Sequence, residues 1–342
     1  MKAVDHEPEG SLMFKRTFSR AVTATVAAAT LALAGCSNDS SGSSDNAGGK
    51  DGSYTIGINQ LVQHPALDAA TAGFKEAFED AGIEVTWDEQ NANGEQSTAL
   101  TISQQFANSN LDAVLAVATP AAQAVVQNIA DAPVLFTAVT DPVEAQLVDS
   151  MDAPGSNVTG TSDETPLDEQ FNLISQLVPE TKKVGIVYSS GEVNSEIQVK
   201  AAQEEAKKRG WEIVTQTVTS VNEIPQAVEA IGDVDAFYVP TDNMVVSGIS
   251  SLVQAAEAKQ IPVIGAEAGT VEGGAVATIG IDYKELGKQT GEMAIRILRD
   301  GEDPAKMPVE KAVKYSYVIN EDAAKAQGVT IPQEIKDQAE TV

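Results

Sequence analysis

The chain has 342 residues, 42% hydrophobic and only 5% aromatic, with 22 basic and 50 acidic residues and a formal net charge of −28. The length suits two domains rather than one core, and so acidic a surface repels nucleic acid and anionic headgroups. One Cys and two His exclude an internal disulfide and a Cys-rich metal site.

The first segment reads as targeting sequence. Lys15, Arg16 and Arg20 precede a small, apolar run from Ala21 to Ala32, and Leu33-Ala34-Gly35-Cys36 follows. A basic flank, a short apolar stretch and small residues before the cut are the marks of a signal peptide, too short to remain as a spanning helix. The Leu-Ala-Gly-Cys pattern resembles a bacterial lipobox. Residues 1–35 are therefore expected to be removed and the Cys36 thiol to take a lipid, with Met13 an alternative start. Residues 36–53, rich in Ser, Gly, Asn and Asp, bury almost nothing and read as a flexible tether. The expected location is extracytoplasmic, anchored to the cell membrane through lipid.

Short apolar runs then alternate with amphipathic stretches. Tyr54–Ile58 reads as a strand, Ala66–Ala81 as a helix closed by Gly82, and Ile83–Trp87 as the next strand. Thr98–Asn108 (helix), Ala113–Val117 (strand), Pro120–Ala130 (helix) and Pro133–Thr137 (strand) continue the rhythm. It restarts with strands at Lys183–Tyr188, Glu212–Thr215, Ala236–Val239 and Pro262–Gly265. Helices at Ser195–Arg209, Glu223–Ile231 and Val246–Lys259 lie between them. A later helix, Lys284–Arg299, and a strand, Val313–Ile319, complete the reading. Strand–helix–strand repetition means parallel βαβ units. The predicted fold is α/β: two doubly wound parallel-sheet lobes joined by a multi-crossover hinge. Residues 54–158 plus about 281–303 form one lobe in this reading, and 159–280 plus about 304–335 the other. Asn157–Ser162 and Thr278–Asp282 are the expected crossovers, with Gly160 and Gly280 permitting rotation.

Several motifs carry a resemblance. They are Asp112-Ala113-Val114-Leu115-Ala116 with Ala118-Thr119-Pro120-Ala121, Val139-Thr140-Asp141-Pro142, Asn157-Val158-Thr159-Gly160, Tyr238-Val239-Pro240-Thr241-Asp242-Asn243, and Gly280-Ile281-Asp282-Tyr283-Lys284-Glu285-Leu286-Gly287. In this order and spacing the chain resembles the ABC transporter substrate-binding family that includes tryptophan- and tyrosine-type binding lipoproteins. The resemblance covers about residues 54–335. It implies the type I periplasmic-binding-protein fold, a small ligand in the interlobe cleft, and a separately encoded permease and ATPase as partners. A monomer is expected, without cofactor or metal.

A zwitterionic amino acid, aromatic for preference, would need donors for its carboxylate and an acceptor for its ammonium. Helix starts supply free N–H groups, so Thr119 and Ala121 are candidates on one lobe and Ser189, Ser190, Glu192 and Asn194 on the other. Each of these also reads as a plain helix cap or turn. Asp242, with Asn243, is the candidate ammonium partner or else a helix cap; Glu267 is a weaker candidate of the same kind. Thr137 and Asp141 follow the fourth strand, where Asp before Pro also signals a turn. Asn59 and Gln60 offer amide contacts beyond the first strand. Phe136, Tyr188 and Tyr238 are pocket candidates, although core placement is simpler. His64, on a loop before Pro65, is expected to be exposed. No Gly-x-Gly-x-x-Gly follows the first strand and no phosphate loop is present, so catalysis is not expected. A sugar or nucleoside on the same fold, or service as a receptor's sensor partner, are the alternative readings.

Overall fold

The computed structural model describes residues 53–342; the expected signal peptide, Cys36 and tether up to residue 52 lie outside the described residues. The chain opens with β1 (Tyr54–Gln60), α1 (Pro65–Asp80), β2 (Val85–Asn91), α2 (Gln96–Ala107), β3 (Ala113–Val117), α3 (Thr119–Val126), β4 (Val134–Val139) and β5 (Val158–Ser162). It continues through α4 (Leu167–Leu177), β6 (Lys183–Ser189), α5 (Val193–Arg209), β7 (Glu212–Val218), α6 (Ile224–Ile231), β8 (Ala236–Val239), α7 (Asn243–Ser247), α8 (Ile249–Glu257), β9 (Val263–Gly265), α9 (Ala268–Glu272) and β10 (Ala277–Ile281). It ends with α10 (Tyr283–Leu298), β11 (Glu310–Lys311), β12 (Tyr315–Ile319), α11 (Glu321–Ala326), α12 (Gln333–Lys336) and β13 (Ala339–Thr341).

The strands form two sheets, ordered β11-β5-β4-β3-β1-β2 and β13-β12-β10-β9-β8-β6-β7. Every pairing is parallel except β10 with β12. Side chains alternate between the two faces of a strand, so each central strand feeds two cores. In the first lobe Ile56, Ile58, Leu115 and Leu135 meet Phe74 and Phe78 of α1 and Met293 of α10. Val114, Ala116 and Phe136 point the other way, toward Phe106 of α2 and Val125 of α3. In the second lobe Val184, Ile186 and Tyr238 pack with Phe171 and Ile174 of α4. Phe237, Val239 and Val263 pack with Val228 of α6 and Leu252 of α8.

The chain passes between the lobes three times: at residues 163–166, at Asp282, and at residues 312–314. The sequence reading placed residue 159 onward in the second lobe; β5 instead completes the first sheet beside β4. Residues 304–335 do not stay together either. β11 pairs with β5, and the second sheet runs on past 335 to β13. The expected rotation points are strand interior. A Cβ at Gly160 would lie 2.1 Å from the Phe136 carbonyl oxygen, and one at Gly280 would lie 3.0 Å from Glu267 Cα. Those glycines permit close strand approach, not hinge rotation. The single helix expected over Val246–Lys259 is two, α7 and α8, divided at Gly248.

The helix returning at the second crossing, α10, lies directly on α1. A Cβ at Gly73 would come 1.9 Å from the Lys284 carbonyl oxygen, and one at Gly287 would come 1.9 Å from that of Ala70. The two backbones touch, which locks a segment more than two hundred residues downstream into the first lobe. Overpacking a core costs about 1–3 kcal/mol, and backbone atoms cannot swing aside. Gly287→Ala is therefore expected to lower the unfolding free energy by an amount at the upper end of that range, and the urea midpoint with it. An unchanged midpoint would show that the helices are not in backbone contact.

Candidate functional site

Open parallel sheets present their ligand sites at the carboxyl ends of their strands. Here the ends of β1, β3, β4 and β5 carry His64, Thr119, Thr140 and Asp163, while those of β6, β8 and β9 carry Ser189, Asp242 and Glu267. The two sets meet. Gln96 Nε2 donates to the Gly191 carbonyl at 2.6 Å, and Gln198 Nε2 donates to Thr140 Oγ1 at 3.3 Å. The hydroxyls of Thr140 and Thr241 are 3.4 Å apart, and His64 Nε2 lies 3.3 Å from Asn243 Oδ1. All four contacts join one lobe to the other, so the cleft is closed. His64, expected at the surface, is buried, because α1 starts at the next residue and faces the second lobe. Burial holds its pKa down at about 4, which leaves a neutral ring able to donate from Nε2 to the amide oxygen.

Four carboxyl groups are buried along this interface, and among the described residues no Lys or Arg is buried with them. Asp242 caps α7. Its Oδ1 accepts from the Val245 N–H at 2.8 Å and its Oδ2 from the Ser189 N–H at 2.5 Å. Glu192 accepts from the Met244 N–H with Oε1, and from the Asn243 N–H, the Asn243 amide and the Asn194 amide with Oε2. Burial first, then the Asp242 charge, push Glu192 up to about 7. Every oxygen of these two acids is met by a donor of the second lobe itself. The other pair is incompletely satisfied. Asp163 Oδ2 accepts from the Tyr283 hydroxyl at 2.7 Å, but Oδ1 has no partner. Glu267 Oε1 has none either, and burial, then Asp163 and Glu272, push its pKa up to about 8.

The remaining candidates divide clearly. Thr119 is buried with its hydroxyl unpartnered, and Ala121 is buried two residues on. The preceding Ala118 has φ 82° and ψ 153°, a region almost reserved for Gly; the chain bends sharply there as it enters α3. Asn194 donates to the Thr241 carbonyl at 3.0 Å, and its own amide oxygen is unpartnered. Ser189 contributes its N–H to Asp242, and its hydroxyl accepts from the Gly191 N–H. Other candidates turn inward or outward. Asn59 donates to Ala99 and Ser103 of α2, and Gln60 bonds Asp68 and Thr71 of α1. Thr137 accepts from Thr161, Asp141 caps the turn at Val143 and Glu144, and Ser190 is exposed. Phe136 and Tyr238 are core, the latter donating to Gln170 at 2.7 Å, and Tyr188 is half-buried. Sequence reasoning missed Asp163 and Tyr283, because β5 was taken for a crossover and its tip was never sought. Among the described residues no group of three or more His, Cys, Asp or Glu is arranged to hold a metal ion.

The raised carboxyls fix a pH dependence. Between about pH 6.5 and about pH 8 the folded, ligand-free protein keeps protons on Glu267 and Glu192 that the unfolded chain releases, so stability falls as pH rises. Below about 6.5 His64 opposes this, because the folded ring resists a proton that the unfolded chain accepts. The melting temperature is expected to rise as pH is lowered from 8 to 6.5, and Glu267→Gln to flatten that slope. A level or inverted slope in the parent protein would contradict the assignment.

The family model described as ABC transporter substrate binding protein matches residues 55–342. A tyrosine-binding protein of Clostridioides difficile (strain R20291) is 41% identical over 302 residues, which cover 86% of this chain and 87% of that protein. The structure of an ABC domain in complex with L-Trp from Streptococcus pneumonia is 37% identical, with a TM-score of 0.82, and covers 85% of this chain and all of that one. A ligand-free, open substrate-binding protein with adhesive properties from Clostridium difficile is 41% identical, covers 84% of this chain and 99% of its own, and has a TM-score of only 0.66. Greater likeness to the ligand-bound relative, at lower identity, agrees with the closed cleft seen in the interlobe hydrogen bonds. The chain belongs to the ABC transporter substrate-binding protein family, with the two-lobed type I periplasmic-binding-protein fold, and is a binding protein, not an enzyme.

Proposed function

We propose that this protein is an extracytoplasmic lipoprotein that captures an aromatic amino acid between its lobes and presents it to the permease and ATPase of an ABC importer. The observation that carries this reading is the occurrence of buried, unpartnered polar atoms on the two facing edges, among them Thr119 Oγ1, Asn194 Oδ1, Asp163 Oδ1, Glu267 Oε1 and His64 Nδ1. Buried polar groups are ordinarily paired, and leaving one unpaired costs about 1–3 kcal/mol. A zwitterion offers both kinds of partner. The start of α3, with the free Thr119 hydroxyl and the Ala121 N–H, suits a carboxylate. The acidic side of the cleft suits an ammonium group.

The tyrosine-binding relative and the L-Trp complex support an aromatic side chain. Neighbours that bind glucose and galactose or myo-inositol are 16–17% identical and speak only for the fold. Lipid anchoring rests on Leu33-Ala34-Gly35-Cys36, and import rests on the family. Capture works as a population shift: a ligand gripped by both edges favours the closed form.

A thermal-shift comparison tests the ligand class. At a hundred times its dissociation constant a ligand stabilises the fold by about 2.7 kcal/mol, so L-tyrosine or L-tryptophan is expected to raise the melting temperature by several degrees. Glucose, inositol and nucleosides are expected to leave it unchanged. A shift with a sugar or nucleoside, and none with either amino acid, would overturn the reading.

A further inference from the structure

We propose that Asp163 and Glu267 together form the ammonium anchor of the cleft, and that seating the ligand's charged amine expels a proton that the empty site holds there. The inference rests on the amino-acid reading above and assigns the amine a place that sequence reasoning had given to Asp242.

Four buried acids line the interface, and two already have donors on both oxygens. Both oxygens of Asp242 are engaged by backbone N–H groups, and both oxygens of Glu192 by backbone and amide donors. Asp163 and Glu267 remain, 3% and 2% exposed, each with an unpartnered oxygen. The Glu267 backbone lies against Gly280, where a Cβ would come 3.0 Å from its Cα, three residues before the Tyr283 that holds Asp163, and the Asp163 charge acts on Glu267. Asp163 stands in the first crossing between the lobes, Glu267 at the tip of β9, and Tyr283 one residue beyond the second crossing. The Tyr283 hydroxyl occupies Asp163 Oδ2 and leaves Oδ1 free. The charged groups acting on Glu267 are Asp163 and Glu272 on α9, and Asp163 is bonded by Tyr283 on α10 and by Thr140 beyond β4; none supplies a positive charge.

Two buried carboxylates with no cation cannot both stay ionised at neutral pH, because desolvation and mutual repulsion both favour a proton. Burial, with Asp163 as the largest nearby charge, pushes Glu267 up to about 8, so the empty site is protonated at pH 7. A ligand ammonium supplies the missing charge and donors to both oxygens. The proton on Glu267 then leaves for solvent, and positive charge is conserved in the site. The arrangement selects for a charged amine: a des-amino analogue would face an anchor with a proton it cannot replace.

Isothermal titration calorimetry on the mature protein at pH 7, in phosphate and in Tris, reads the proton count from the difference in heats. The probes are L-tyrosine, tyramine and 3-(4-hydroxyphenyl)propionate. For L-tyrosine we expect release of about one proton per ligand; the des-amino acid should not bind. Glu267→Gln should abolish the release and weaken L-tyrosine binding about tenfold or more, as a charge-assisted bond becomes a neutral one. The ligand-free variant should melt no lower than the parent, since a buried acid has gone; if it does melt lower, Asp163→Asn makes the same test. L-tyrosine binding with no proton release, and equal affinity in the variant, would overturn the anchor and leave the amino-acid reading intact. Tyramine binding with proton release while L-tyrosine fails would do the reverse.

Discussion

Burying a carboxyl group without a counter-charge is among the more expensive arrangements in a protein interior, and this fold does so four times along one interface. The expense follows from the architecture. Parallel sheets place their functional loops at one edge, and three crossings turn the two edges face to face, so polar strand tips are pressed together away from water. For Asp242 and Glu192 the backbone N–H groups around α7 and β6 meet the cost. For Asp163 the Tyr283 hydroxyl meets part of it on one oxygen, and one oxygen each of Asp163 and Glu267 is left without a donor. In the proposed reading, a ligand carrying the opposite charge supplies the missing partner.

The rest of the molecule makes that incompleteness usable. The Glu192–Asn194–Asn243 network holds the second lobe's face rigid, and His64 reaches Asn243 from the first lobe. The direct contacts between lobes include a few hydrogen bonds, each contributing about 0.5–1.5 kcal/mol net. Such a total is comparable with the unpaired-group penalty it opposes, so closure without ligand is finely balanced. A ligand that removes the penalty tips the balance toward the closed form. Behind the cleft the fold is stiff: α1 and α10 touch backbone to backbone, and the crossings run directly from strand ends.

The lobes were legible wherever strands are apolar. Ala113–Val117 and Ala236–Val239 appear where the sequence placed them, since an unbroken run buried on both faces has few other readings. β5 was not legible. Its sequence, Val-Thr-Gly-Thr-Ser, looks like a loop, yet it is wholly buried, because its threonines bond Met307, Thr137 and Thr290. Polar strands satisfied by partners far along the chain carry no periodic signal, and losing β5 also lost Asp163. The caps were legible as types and ambiguous as roles. Asp242 could cap or bind, and the structure shows the cap, with an N–H donor on each of its oxygens. Glu267, the weaker candidate by sequence, gains weight because the structure leaves it without a donor. Asn59 and Gln60 sit at a strand tip as expected, but which way an amide turns depends on helices packed beside it, and both turn inward.

The most direct measurement is a crystal structure of the mature protein grown with L-tyrosine or L-tryptophan. The account predicts ligand density between the strand tips of the two lobes, with the amine nitrogen about 2.7–2.9 Å from oxygens of Asp163 and Glu267 and the carboxylate at the start of α3. A ligand bound outside the interlobe cleft, or one inside it whose nitrogen lies against Asp242 with Asp163 and Glu267 untouched, would contradict it.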